Sequence, residues 1–179
     1  MACEVANFLR APLDVLIVRT LGVPGQPELA MGAIASGGGR AVNEQIVHAF
    51  GIDPATIHAV SEKESREVLR QEQAYRGDRP PLHVAGKIVI VVDDGMATGA
   101  TMCAGVRALR TLQPARIVVA VPHAPPDTCA SLSTEADEMV CLETPEPYVA
   151  VGRWYRNFPQ LTDAEVREIL GQDMLQPVP

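Results

Sequence analysis

Residues 88–101 read IVIVVDDGMATGAT. An apolar, β-branched run ends on two adjacent carboxylates, Asp93 and Asp94, and then come Gly95, Met96, Ala97, Thr98, Gly99, Ala100 and Thr101. Small residues let a backbone approach a ligand closely, and the first turn of a following helix offers free N–H groups and a dipole that favours an anion. Thr98 and Thr101 add hydroxyl donors. These features suit a phosphate. The carboxylates would repel that phosphate if they touched it, so they need another partner: sugar hydroxyls, or Mg²⁺ held directly or through water. A phosphorylated sugar satisfies both halves, with hydroxyls over the aspartates and phosphate in the loop.

Competing nucleotide sites fit less well. A P-loop requires a Gly-Lys-Ser/Thr ending, and no lysine follows Lys87. A dinucleotide fingerprint requires GxGxxG, and Gly95 and Gly99 have the wrong spacing. A phosphotransfer aspartate of the DxDxT kind is missing as well. The bland alternative is an ordinary strand, turn and helix with a chance acidic pair.

Strands must deliver these residues. LDVLIV at 13–18, KIVIVV at 87–92, RIVVAV at 116–121 and MVCL at 139–142 are short, apolar and without clean alternation, as buried parallel strands are. Such strands need helices on both faces. ATMCAGVRALRTL, 100–112, carries an apolar stripe, and PPDTCASLST, 125–134, opens with a Pro/Asp start signal. The alternation predicts an α/β fold, a doubly wound and mainly parallel sheet with flanking helices, in which ligands bind at the carboxyl ends of the strands. Asp93 and Asp94 stand at such an end.

The first half is less regular. RTLGVPGQPELAMG, 19–32, reads as a flexible Gly/Pro loop and SGGGRAV, 36–42, as part of a hairpin, so 19–42 forms an arm. Residues 61–76 read as a solvated charged helix with a capping box from Ser61 to Glu64, and GDRPPL is a linker back into the sheet. The whole of 1–179 is expected to be one domain, with 143–179 as a C-terminal hood and tail.

With 179 residues, 47% of them hydrophobic, the chain can bury a sizeable core. A formal charge of −7 argues against nucleic acid, whose binding depends on clustered Lys and Arg. Cys3, Cys103, Cys129 and Cys141 match no zinc or redox spacing and read as reduced, buried thiols. No stretch approaches the ~20 apolar residues of a membrane span, and MACEVANFLRAPLD does not resemble a signal peptide, which predicts a cytoplasmic protein without membrane contact.

VVDDGMATGAT resembles the phosphoribosyl-diphosphate signature of the type I phosphoribosyltransferases. RTLGVPGQPELAMGAIA, AVPHAPPD and PEPYVAVGRWYRNF resemble stretches of a bacterial branch of predicted phosphoribosyltransferases. The resemblance implies that Asp93 and Asp94 contact the ribose 2′ and 3′ hydroxyls, that residues 95–101 hold the 5′-phosphate, and that Mg²⁺ bridges diphosphate and ribose oxygens. It implies transfer of the phosphoribosyl group from phosphoribosyl diphosphate to a nucleobase or similar small-molecule acceptor, with diphosphate released. Residues 19–32 resemble the family's closing loop, and Arg19 would reach the diphosphate. Thr20 stands where relatives commonly carry Lys. His123 and Tyr148 are the acceptor-side candidates, while Trp154 and Tyr155 read as C-terminal packing.

Members of this branch have a strand and a Pro-Arg-Gly-Gly-like diphosphate loop before the helix that ACEVANFLRAP, 2–12, resembles. The sequence begins inside that helix. An incomplete sheet edge favours association, so a homo-oligomer is expected. An alternative function is a catalytically weak protein of this fold that binds phosphoribosyl diphosphate or a nucleotide and acts as a regulator.

Overall fold

The run IVIVV becomes a strand by pairing with the apolar run RIVVAV, which pairs on its other side with EMVCLE. In the computed structural model, which describes residues 1–80 and 82–173, the first elements are α1 (Ala2–Leu9), β1 (Val18–Val23), β2 (Gln26–Ala35) and β3 (Gly39–Val42). α2 (Glu44–Phe50), α3 (Pro54–Arg76), β4 (Ile88–Val92), α4 (Ala100–Arg110), β5 (Arg116–His123), α5 (Pro126–Leu132), β6 (Glu138–Glu143) and α6 (Asp163–Asp173) follow. Short 3₁₀ turns cover Ser36–Gly38 and Val151–Trp154. The fold is α/β, as the alternation of elements predicts. The described residues of 1–15, 88–99 and 116–173 form one compact unit; those of 16–87 and 100–115 form another.

The first unit holds a parallel sheet in the order β4-β5-β6. Ile88 pairs with Arg116 and Val92 with Ala120, while Val118 pairs with Glu138 and Val121 with Cys141. Side chains alternate faces along a strand. Ile117, Val119 and Val121 are buried, and Leu132 of α5 is buried with them. The Asp137 carboxylate accepts from the Ile117 N–H at 2.6 Å, which fixes the start of β5. On the opposite face Ile88 and Leu142 are 66% and 73% exposed, while Val92, Val118 and Ala120 are half-buried.

The second unit is built on the antiparallel order β1-β2-β3. Val18 pairs with Ala35 and Leu21 with Gly32; Gly32 pairs in turn with Val42 and Ala35 with Gly39. Two expectations are corrected here. LDVLIV is not a parallel strand: residues 11–17 lie outside any strand, and Val18 begins an antiparallel one. The reason lies in Ile17, whose N–H donates to the Ser36 hydroxyl at 2.9 Å and whose carbonyl accepts from the Ser36 N–H at 2.9 Å. Those bonds commit the end of the run to β2. Likewise 19–32 is not a loop but most of a β-hairpin, with Pro24 and Gly25 as its two-residue turn and Gly25 at φ +81°. Glycine suits that turn because L side chains rarely adopt positive φ. The hairpin expected through 36–42 is present as β2 and β3.

Helices cover this second sheet. α3 starts at Asp53, whose carboxylate caps the Thr56 N–H at 2.9 Å, with Pro54 in the first turn. Ser61 is therefore no cap. It sits mid-helix and is buried with Ile57 and Val68 on the face toward the hairpin, so the expected capping box is absent and the helix is not polar all round. α2, which the sequence reading did not anticipate, is capped by the Asn43 side chain at the Ile46 N–H, 3.3 Å. Val106 and Leu109 of α4 are buried, as are Leu21 and Met31 of the hairpin. Burying each such side chain contributes roughly 1.5–3 kcal/mol. Close packing of α4 requires glycine at Gly39, where a Cβ would lie 2.5 Å from the Ala108 carbonyl oxygen.

The four cysteines form no disulfide and are half-buried rather than buried. Pro81 of the expected linker and 174–179 of the expected tail lie outside the described residues. No helix among the described residues is long and apolar enough to cross a membrane.

Candidate functional site

Where β4 ends, the backbone of 93–97 leaves the regular ladder and is held by single contacts. The Asp93 N–H donates to the Ala120 carbonyl at 3.3 Å, a last bond toward β5. The Asp94 N–H donates to the Asp93 Oδ1 at 2.9 Å, turning the first carboxylate back over the chain. The Met96 N–H donates to the His123 carbonyl at 3.2 Å, and Met96 is buried. The Thr128 hydroxyl of α5 donates to the Ala97 carbonyl at 2.8 Å. Gly95 and Gly99 have φ of +149° and +67°. A Cβ on Gly95 would lie 2.5 Å from His123 Cε1 and 3.0 Å from Val151 Cγ1, so only glycine fits between them. Gly99 lies against Thr128, where a Cβ would approach Cγ2 at 2.8 Å.

The proposed phosphate stretch thus divides. Gly95, Met96, Ala97, Thr98 and Gly99 belong to the parallel-sheet unit, whereas Ala100 and Thr101 open α4 in the other. Ala97 and Thr98 are exposed at the loop crest. Arg19 is in the hairpin unit on β1, where its guanidinium forms a 2.9 Å ion pair with Glu64 of α3.

Asp93 keeps solvent-exposed surface, yet it stands among enough protein atoms to disfavour its charge. That burial, opposed by the Asp94 N–H and reinforced by the neighbouring Asp94 charge, pushes its carboxyl above the usual aspartate range. Hydroxyl donors or a cation beside the pair would reverse the effect. Among the described residues no cluster of three or more His, Cys, Asp or Glu could hold a metal. Two adjacent carboxylates do suit a hard cation that keeps waters and ligand oxygens in its shell. They do not make an all-protein cage.

The C-terminal segment closes on the back of this loop. His123, at the end of β5, is only 6% exposed; its Nδ1 lies 2.9 Å from the Tyr148 hydroxyl, and its buried Nε2 has no hydrogen-bond partner among the described residues. Its ring centroid is 5.8 Å from Tyr148, 5.8 Å from Trp154 and 5.5 Å from Tyr155. Tyr148 and Trp154 stack at 27° between planes. The Tyr155 hydroxyl donates to the Asp94 carbonyl oxygen. Burial first, then the Asp94 and Asp93 charges, raise the Tyr155 hydroxyl above the usual phenol range, which keeps it a donor.

The structure therefore brings together Asp93, Asp94, the 95–99 loop, His123 and Tyr148. It also adds Trp154 and Tyr155, expected from the sequence only to pack. A signal was present: four of the chain's seven aromatic residues fall within 148–158, in a chain with only 4% aromatics.

Residues 34–153 match the phosphoribosyl transferase domain. A Mycobacterium tuberculosis protein provisionally named a phosphoribosyl transferase is 46% identical over 166 residues, 93% of this chain and 38% of that protein. The chain thus spans about two fifths of the length of that relative. A ribose-phosphate pyrophosphokinase of Prochlorococcus marinus is 38% identical over 92 residues, covering 50% of this chain and 26% of the relative. The crystal structure of TT1426 from Thermus thermophilus superposes with a TM-score of 0.85 at 36% identity, covering 95% of this chain and 80% of that one. With the domain match over 34–153 taking in the acidic loop and His123, the chain belongs to the type I phosphoribosyltransferase family.

Proposed function

We propose that the protein is a Mg²⁺-dependent phosphoribosyltransferase that transfers the 5-phosphoribosyl group of phosphoribosyl diphosphate to a nucleobase or similar small acceptor. The observation that carries this reading is the Asp93–Asp94 pair, set by contacts from outside its own loop beside a small-residue turn. Asp93 and Asp94 accept hydrogen bonds from the ribose hydroxyls, and the 95–99 turn with the Thr98 hydroxyl, apart from the Met96 N–H that the His123 carbonyl takes, holds the 5′-phosphate. The aspartates would hold Mg²⁺ through water or ribose oxygens, and the ion supplies charge neutralisation to the diphosphate.

The acceptor nitrogen forms its bond to C1′ as the C1′–oxygen bond breaks. Diphosphate leaves with the electron pair, and the acceptor nitrogen sheds its proton. Cation-like displacements of this kind are governed by positioning and charge stabilisation rather than by a nucleophilic side chain. The stacked Tyr148 and Trp154 rings, with the Tyr148 hydroxyl bonded to His123 Nδ1, support a flat acceptor. A homo-oligomer in the cytoplasm completes the proposal; light scattering on the purified chain reports its mass.

A second reading is favoured by Arg19. Its guanidinium is taken by Glu64, and Thr20 adds no second charge for a diphosphate. On that reading the protein binds phosphoribosyl diphosphate or a nucleotide and turns over poorly. Diphosphate release across a panel of purine and pyrimidine bases separates the two. Release with at least one base supports the enzyme, and none with any base, alongside measurable ligand binding, supports the sensor.

A further inference from the structure

Asp94 has both backbone polar groups engaged, and by different agents. Its N–H is used within the loop by the Asp93 carboxylate, whereas its carbonyl is held from outside by the Tyr155 hydroxyl, 61 positions along the chain. The carbonyl of Asp94 and the N–H of Gly95 belong to one planar trans peptide, so they point in opposite directions. Holding that carbonyl toward Tyr155 turns the Gly95 N–H the other way. Gly95 cannot easily choose its own orientation here, because its φ of +149° is reached only by glycine and its Cα is pressed on His123 and Val151. The next N–H, that of Met96, is fixed to the His123 carbonyl. One peptide plane between the two carboxylates and the phosphate turn is thus set by a single phenol.

Resting on the phosphoribosyl reading above, we propose that Tyr155 is a positioning residue: its hydroxyl latches the Asp94–Gly95 peptide, orienting the acidic pair and the first loop N–H for the sugar phosphate. Tyr155 touches no reacting atom in this account. Its ring has separate duties, packing at 5.1 Å from Phe158 and 5.5 Å from His123, so removing only the oxygen leaves that packing in place. Phe158 provides the matching control, since it supports the ring without bonding to the loop.

The test uses the full chain with Tyr155→Phe and Phe158→Leu. Calorimetry with phosphoribosyl diphosphate at saturating Mg²⁺ is expected to show affinity about tenfold weaker for Tyr155→Phe at nearly unchanged Tm, the scale of one lost hydrogen bond. Phe158→Leu should lower Tm yet bind within about twofold of wild type, a small fraction of that bond's value. Wild-type affinity in Tyr155→Phe overturns the proposal. Equal weakening in both variants, or failure of Tyr155→Phe to fold, also overturns it by making the role structural. If the wild type binds no phosphoribosyl diphosphate, the functional reading fails, and amide exchange of residues 94–97 still decides the latch. Faster exchange confined to that segment in Tyr155→Phe supports it, and unchanged exchange refutes it.

Discussion

The acidic loop at 93–99 and the hairpin arm of β1 and β2 are held in place by different kinds of force. The arm carries its own ladder, with pairs running from Val18↔Ala35 to Val23↔Gln26, and buries Leu21 and Met31 completely. The loop has no ladder. Its N–H groups donate to the Ala120 and His123 carbonyls, its own carbonyls accept from the Thr128 and Tyr155 hydroxyls, and two of its glycines have positive φ. A region with many redundant contacts converts a mutation into lost stability, spread over the unit. A region with few contacts converts it into altered geometry, with the fold intact. The two should therefore respond to substitution in separable ways, one in Tm and the other in ligand affinity.

The sharpest way to break this contrast is Gly95→Ala. The new Cβ would lie 2.5 Å from His123 Cε1 at a φ of +149°, so the loop must move or His123 must leave. Strain of about 1–3 kcal/mol from the backbone alone is expected, and binding of phosphoribosyl diphosphate should fall by about 100-fold or more, an effect visible by calorimetry. If affinity is retained while Tm drops, the loop is not the ligand site. Leu21→Ala tests the other side. Loss of a fully buried side chain should cost about 2–5 kcal/mol in denaturant unfolding. Affinity measured on the folded protein should hardly change.

A pH series sharpens the contrast further. The Asp93 carboxyl is raised, by burial first and by the Asp94 charge, so it takes up a proton at a pH above the ordinary aspartate range. Ligand binding that needs the carboxylate should weaken as pH falls through that raised value. Folding linkage at this group has the opposite sign: its contribution to stability is present at low pH and is lost as pH rises through the folded-state pKa. Acid should thus reduce affinity while this site's own contribution to stability grows, and Asp93→Asn should flatten the affinity profile in that window. An unchanged profile in Asp93→Asn would contradict the assignment. The smallest expected effect is at Arg19. Its pair with Glu64 is partly exposed, so Glu64→Gln should change stability by less than about 1 kcal/mol.

How far these features could be read beforehand depended on where the information lay along the chain. β4, β5, β6, α4 and α5 followed from local apolar runs with clear start signals such as Pro126 and from the acidic pair that ends β4. LDVLIV looked no different from those strands, but its partner is decided by Ser36, nineteen residues away, and by which sheet that residue serves. Gly and Pro at 22–27 suggested a long loop, whereas they form one tight turn and irregular pairing beside it. In the site, the carboxylates and small residues announced themselves by type. Tyr155 did not, because its part depends on a backbone carbonyl far off in sequence, and a tyrosine among aromatics gives no hint of that bond.

The central claim is that Asp93 and Asp94 hold the sugar of a phosphoribosyl ligand. Calorimetric titration of the wild type and of an Asp93→Asn/Asp94→Asn variant with phosphoribosyl diphosphate and Mg²⁺ tests it most directly. The account predicts saturable binding by the wild type and affinity about 100-fold weaker or undetectable in the variant, with Tm unchanged or higher because two close like charges are removed. Equal affinity in the two proteins, or no heat from the wild type, would contradict it.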